Sequence, residues 1–384
     1  MADELKFRLA NGDDAFALMR LHQLAAPRPL HDPLMLDYGR LQSLLTGKST
    51  DSWFVGEDAR TGELVVGASV MHDTEQRLAK MHRLYVAPSV EDMPAATKGV
   101  LSFLLAHLDA QGETDVLYTA TWKLTLAQLE LTREMGFRTA GIFPNVPAAD
   151  VSRVNSITVY FFRDVLTTRR FTDFTIHPAV RPFFDLVRRE CNLPNVADAV
   201  IDPAAARAPS TYTLSDLEVI NAAKFVAYRF DLLKERKFLS VSFYPFQEPD
   251  VLITVPRQEV EIFVRMIPKL RFAMIIGEKV NVPVDPSLLY RAVGEILNEK
   301  GITYIEMLND AADVSGTQFL LQAGYIPCVY FPCLKTHGNL RRDIVVFGKS
   351  FEKGRLRPEF VGPQLREFWD HYWQLDHDLL QARP

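Results

Sequence analysis

Two short apolar runs carry the side chains of this 384-residue chain best suited to moving protons. "AKMHRLYVA" holds His82 and Tyr85, and "DVLYTAT" holds Tyr118 and Thr121. An imidazole titrates near neutral pH and can take up a proton, while a phenol can give one up. His82 is the first candidate for a general base, and Tyr85 and Tyr118 complete the catalytic candidates. Both runs read as β-strands, so strict alternation places His82 and Tyr85 on opposite faces, where they would not line one wall. Trp122, just after Thr121, is a candidate wall for an acceptor pocket or a core residue.

The stretch joining the two runs, "LYVAPSVEDMPAATKGVLSFLLAHL", reads as strand, loop and then a helix from about Pro94. A helix start offers free backbone N–H groups and the positive end of a dipole, which together make an anion cradle. This loop instead holds Glu91 and Asp92 and no glycine before Gly99. Pro94 removes one N–H outright. The two acids suit N-terminal capping and would repel a phosphate.

The elements that position these residues form an ordered series. "LKFRLA" alternates as a strand, Gly12-Asp13-Asp14 turns the chain, and "AFALMRLHQLA" has helical spacing. A short helix at "DYGRLQSLL" precedes a hairpin whose two arms flank Thr61-Gly62. After "DVLYTAT" a helix closes at Gly136, and "RTAGIFPN" and "SITVYFFRDV" supply two last strands. The order β, α, ββ, β, α, β, α, β, β predicts a mixed α/β sheet domain over residues 1–165.

The second half repeats that ending. Gly136-Phe137 is followed by Phe143-Pro144, and Gly324-Tyr325 by Phe331-Pro332, each at a spacing of seven. "LRFAMIIGEKV", "DPSLLYRAVGEILNEKG" and "TYIEMLN" stand where the candidate strands and their helix stood. Residues 238–352 therefore read as a second, related domain. Residues 166–237 connect the two and begin the second, with "FTDFTIHPAVRPFFDLVRREC" as its opening strand and helix and "LEVINAAKFVAYRFDLLKER" as one helix. Residues 353–384 form a helical tail whose Phe368, Trp369, Tyr372 and Trp373 should pack on a domain or a partner subunit.

A net charge of −5 with both signs interspersed gives no reason to expect a nucleic-acid or membrane-surface partner. The opening residues lack a signal-peptide pattern and no long apolar run occurs, so the expected location is cytoplasmic. Cys191, Cys328 and Cys333 suit neither a disulfide framework nor a zinc site. No Gly-x-Ser-x-Gly, Gly-x-x-x-x-Gly-Lys-Ser/Thr or His-Glu-x-x-His stretch appears, so hydrolase, phosphate-loop and zinc-protease chemistry have no anchor.

The "LYVAPS" strand end with its following helix, "DVLYTAT", the "LELTREMGF" helix end and the closing strands together resemble the GNAT acyltransferase superfamily. The resemblance spans Leu5 to Val165 and, more weakly, Phe238 to Phe351. It implies tandem GNAT-like domains, each a mixed twisted sheet flanked by helices. It also implies an N-acyltransferase whose donor, acetyl-CoA or a longer acyl-CoA, lies where two central parallel strands part.

On that resemblance Leu84 and Val86 border the donor's pantetheine arm. Ala95, Ala96, Thr97, Lys98 and Gly99 face its pyrophosphate, with Lys98 as the nearest cation. The family loop begins with Arg or Gln and carries glycines, whereas "EDMPAA" begins with an acid and has Pro where a glycine would be. The tyrosine that often serves as acid is replaced by Thr132 in one half and Leu320 in the other, so both copies are degenerate. In the second half Asp285-Pro286 already caps its helix start.

These features predict an acyltransferase acting on an amine of a small molecule or a protein, with no metal and a non-catalytic second domain. An acyl carrier protein, whose phosphopantetheine lacks a pyrophosphate, is the alternative donor, and a homodimer is the expected assembly. The competing readings are a non-catalytic ligand-sensing or interaction protein, and a groove between the domains that processes an unrelated metabolite.

Overall fold

A computed structural model describes residues 5–25, 32–47, 51–124, 126–144, 154–201, 217–255, 259–352 and 363–381. The first unit comprises Met1–Arg138 and Thr158–Thr168, and the second Thr139–Ile157 and Arg169–Pro384.

In the first unit β1 (Leu5–Leu9) leads through α1 (Ala15–Ala25) and α2 (Tyr38–Thr46) to the hairpin of β2 (Asp51–Asp58) and β3 (Leu64–Asp73). The turn between those arms includes Gly62 at φ 72, a conformation that glycine adopts without strain. There follow β4 (Leu78–Val86), α3 (Met93–Gln111), β5 (Val116–Leu124), α4 (Leu126–Glu134) and then β6 (Arg138–Ile142), which from Thr139 on belongs to the second unit. β7 (Val154–Phe161) and α5 (Val165–Thr168) complete this half. The strand order is β1-β2-β3-β4-β5-β7, antiparallel from β1 to β4 and parallel between β4 and β5.

The period of α3 explains its seat. Ala96, Val100, Leu101, Leu104, Leu105 and Leu108 recur at helical spacing and are buried. All but Ala96 meet Phe54, Val66, Ala68, Ala79, Met81 and Leu117 of the sheet in one core. Each such aliphatic side chain contributes on the order of 1.5–3 kcal/mol when fully buried. Gly99 lets the helix approach β1, because a Cβ there would stand 2.3 Å from the Phe7 ring.

The second unit begins its sheet later and elsewhere than the sequence suggests. β8 (Thr175–Ile176) pairs only with β9 (Ala197–Asp198), and α6 (Arg181–Cys191) packs on a later strand, so "FTDFTI" does not open the large sheet. The opening strand is β10 (Glu218–Ile220), followed by α7 (Ala223–Glu235). "LEVINAAKFVAYRFDLLKER" is thus a strand and a helix, because Glu218–Ile220 take up ladder pairing with β11 (Val251–Thr254).

β12 (Val260–Ile267), β13 (Phe272–Val280), α8 (Pro286–Glu299), β14 (Tyr304–Asp310), α9 (Val314–Gln322), β15 (Ile326–His337), β16 (Leu340–Ser350) and α10 (Pro363–Gln381) follow. The order β10-β11-β12-β13-β14-β16-β15 repeats that of the first unit. It opens with three antiparallel steps, has one parallel step between β13 and β14, and ends with two more antiparallel steps that place the last strand out of sequence. β6 lies in this unit and meets β15 at Gly141 and Val329. α10 packs on β15 and α6, which buries Phe368, Trp369 and Tyr372.

A buried ion pair ties the chain entering this unit to its last strand. Arg170 donates to both oxygens of Asp343, at 2.9 Å and 2.6 Å to Oδ2, and both side chains are fully buried. The same carboxylate accepts from the Tyr330 hydroxyl and from the Cys333 backbone N–H. With its lone pairs satisfied, the pair tolerates burial; with one partner removed, it does not. Asp343→Leu is expected to cost about 3–5 kcal/mol in urea unfolding, and adding Arg170→Met should recover most of that loss.

Candidate functional site

Among the described residues the parallel pair β4 and β5 is laddered over three residue pairs. Leu78, Ala79 and Lys80 pair with Val116, Leu117 and Tyr118, and among the described residues the ladder ends there. β4 nevertheless runs on to Val86 and β5 to Leu124. On its other side β4 remains paired to β3 as far as Val86. The parting coincides with a bulge, since Ser69 faces Arg83 while Val70 faces Met81, which leaves His82 as the extra residue. A bulge bends and twists its strand and re-aims the side chains beyond it.

The bulge changes which candidates share a face. Met81 and Leu84, three residues apart, both pack into the core beneath α3, and Val86 joins them. Arg83 and Tyr85 point the other way, toward Trp53 and the α1 side. His82 feels the charges of Arg83, Lys80 and Asp32, which belong to this second face. The expectation that His82 and Tyr85 stand on opposite faces assumed an unbroken pleat, which the inserted residue interrupts.

His82 keeps contact with solvent, yet enough protein surrounds its ring that desolvation, with the Arg83 and Lys80 cations, pushes its pKa down to about 4. It is neutral at pH 7 and holds an open lone pair. Tyr85 packs edge-on against the His22 ring at 4.9 Å, and desolvation pushes its phenol up to about 12. Tyr118 is buried at the last ladder pair, with Lys80 Nζ 5.8 Å above its ring. The side chains of Thr121 and Trp122 lie outside the described set.

The start of α3 is largely satisfied from within. Asp92 accepts from the Ala95 N–H at 2.8 Å, Ala96 N–H bonds back to the Asp92 carbonyl, and Pro94 has no N–H to give. Thr97 turns its hydroxyl onto the Met93 carbonyl. Ala96 is buried, Ala95 and Lys98 are exposed, and Gly99 faces Phe7. In the second unit Asp285 caps α8 by accepting from both the N–H and the hydroxyl of Ser287. Thr132 spends its hydroxyl on the Leu129 carbonyl, and Leu320 is buried.

Sequence reasoning missed the charged core of this face. Arg83 grips Asp32 through Nε at 2.6 Å and Nη2 at 3.1 Å, and stands 5.3 Å above the Trp53 ring. Burial alone would raise the Asp32 carboxyl, but the bonds and charge of Arg83 outweigh it and hold it below the usual range. The one available signal was Asp32-Pro33, a helix-start pair that does cap residues 33–36. Its partner lies 51 positions away, beyond the reach of local pattern. Among the described residues no group of three or more His, Cys, Asp or Glu side chains is placed to hold a metal ion. No helix among them is long and apolar enough to cross a membrane.

Several solved structures are similar to part of the chain. The ribosomal-protein-S18-alanine N-acetyltransferase of Escherichia coli is 17% identical over 44% of this chain and 100% of its own, with a TM-score of 0.35. A probable acetyltransferase of Staphylococcus epidermidis is 13% identical over 42% and 100%, at 0.35. The PaiA N-acetyltransferase of Thermoplasma acidophilum, solved with coenzyme A, is 9% identical over 41% and 99%, at 0.32. No family model and no curated protein matches the chain. The fold is mixed α/β, a large mixed sheet with helices and a last strand placed out of sequence.

The depressed His82 pKa sets a direction for acid sensitivity. Above the unfolded value of about 6.5 both states are neutral at this residue. As pH falls from there toward 4, only the unfolded chain gains the proton, so stability is lost across that window. His82→Gln should lose less stability than the parent between pH 6.5 and 4 in denaturant titrations. The parent's His82 ring resonance should titrate near 4, and a midpoint near 6.5 would contradict this environment.

Proposed function

We propose that the chain is an N-acyltransferase made of two GNAT-like repeats, in which the first unit takes the acyl donor and the second is non-catalytic. The observation that carries this reading is the parted β4–β5 pair, with its bulge at His82 and the α3 start beyond it. Parted strands leave a row of backbone N–H and C=O groups facing a gap, and an extended amide-bearing arm is the natural partner for such a row. Leu84 and Val86 lie on that stretch of strand, consistent with bordering a pantetheine arm.

The α3 start bears on the donor. With Pro94 in place and the Ala95 N–H given to Asp92, little remains to receive a pyrophosphate. Glu91 and Asp92 are exposed there, and their charge opposes one. Recognition then falls on the arm, which acetyl-CoA, a longer acyl-CoA and the phosphopantetheine of an acyl carrier protein all share. Ala95 to Gly99 would contribute less than in a glycine-rich loop.

His82 suits one moment of the reaction. A base whose conjugate acid has a pKa of about 4 cannot strip an alkylammonium, which lies roughly six units higher. It can take the proton once a free amine has attacked the thioester, when the nitrogen bears four bonds and is far more acidic. Tyr85 and Tyr118 are the candidate proton donors to the departing thiolate. The acceptor is an amine of a small molecule or a protein. The satisfied helix starts of α3 and α8 also favour a second reading, an inactive ligand sensor.

Calorimetry with acetyl-CoA and with acetyl-phosphopantetheine tests the donor. The two should bind within about tenfold of each other, since the nucleotide end adds little, and each should raise the melting temperature. No binding of either at millimolar concentration would sink the donor site. Binding without amine-dependent release of CoA across a panel of amines would favour the sensor.

A further inference from the structure

The second unit has the same parting, but there the gap is filled by the chain itself. The β13–β14 ladder ends at Ile275 and Met307, while β13 continues to Val280 and β14 to Asp310. A bulge again marks the place, since Phe263 faces Gly277 and Val264 faces Ile275, leaving Ile276 as the extra residue. Two residues past it, Glu278 pairs not with β14 but with Val241, in an isolated antiparallel bridge. Ser240 N–H donates to the Glu278 carbonyl at 2.8 Å, and Glu278 N–H donates to the Val241 carbonyl at 2.9 Å. On the side facing β12, Glu278 is opposite Ile262, so the bridge uses the edge that β14 has vacated.

Side chains fasten the same segment to both parted strands. Ser240 Oγ donates to Glu278 Oε1 at 2.9 Å, and Tyr290 of α8 donates to Oε2 at 2.9 Å. Tyr244 donates to Glu306 Oε2 of β14 at 2.6 Å. Lys335 Nζ stands 5.5 Å over the Phe243 ring. The backbone turns into and out of the segment through two left-handed residues that are not glycine, Lys237 at φ 58 and Phe246 at φ 61. A bulky residue there is strained, and persists only where the surroundings hold it. Gly277 makes the room, since a Cβ would stand 2.9 Å from the Val241 carbonyl oxygen and 2.5 Å from the Phe230 ring.

We infer that residues 238–246 are a built-in occupant of the second unit's strand gap, which closes that unit to an acyl donor and leaves one donor site per chain. This rests on the reading of the parted pair as the donor's place. The segment supplies what an extended amide arm would supply, one N–H and one C=O to a single strand residue. The second unit is then closed by occupation and not only by its capped helix start.

Hydrogen exchange of the whole chain, with and without acetyl-CoA, tests this. Without ligand, the Ser240 and Glu278 amides should be protected like those of the β12–β13 ladder. Exchange at the rate of an open loop would overturn the inference. With saturating acetyl-CoA, residues 82–86 should gain protection while 238–246 and 276–280 stay unchanged. A gain at 276–280, or a loss at 238–246, would show the segment displaced and would overturn it. No change at 82–86 would instead remove the donor reading and leave the occupied gap standing. Ser240→Pro, which deletes the N–H, and the milder Tyr244→Phe should each speed exchange at Glu278 at least tenfold with the β15–β16 amides unaltered. Glu278 protection unchanged in both variants would show that another element guards it.

Discussion

A strand that parts from its neighbour inside a sheet leaves backbone groups that must find partners elsewhere, and both units are organised around that obligation. The unmatched edge cannot be left dry, because a buried N–H or C=O without a partner costs as much as a lost hydrogen bond. β4 and β13 each stay paired on one side and open on the other just where one extra residue is inserted. The bulge bends the strand away, the opening follows, and the helix after the strand starts beyond it. Everything that sets the two units apart concerns what satisfies that edge.

In the first unit the neighbourhood is polar and charged. Arg83, Asp32 and Lys80 gather on one side of β4, with Trp53 and Tyr85 packed among them, and His82 is near enough to feel their charge. Desolvation first, and then the Arg83 and Lys80 cations that Asp32 only partly offsets, explain the reluctance of the imidazole to charge. In the second unit the same distance past the bulge holds a buried carboxylate that accepts from a phenol and a serine hydroxyl. One opening keeps a solvent-exposed imidazole beside an ion pair; the other is tied shut with neutral donors.

The layout of elements was legible because it rests on local period. α1, α2 and β4 lie where alternation and helical spacing put them. What failed depended on one residue or on distant partners. The opposite faces expected of His82 and Tyr85 came from counting in twos, a count that the inserted residue interrupts. "EVI" before α7 was read as helix, because three residues carry no period, and only the ladder with β11 decides them. The Asp32–Arg83 pair and the bridge from Val241 to Glu278 join positions tens of residues apart, so no window along the chain contains them.

Counting from the inserted residue puts Arg83 and Gly277 at the same offset, one place beyond His82 and Ile276. In each unit the segment that meets this offset comes from between the first long helix and the second sheet strand. Arg83 engages its segment at the end of a long side chain, through the Asp32 carboxylate. Gly277 has nothing to hold its segment off, and the peptide comes within contact of the strand. One side chain thus acts as a spacer setting, wide in one unit and zero in the other, while the strand order around it stays the same.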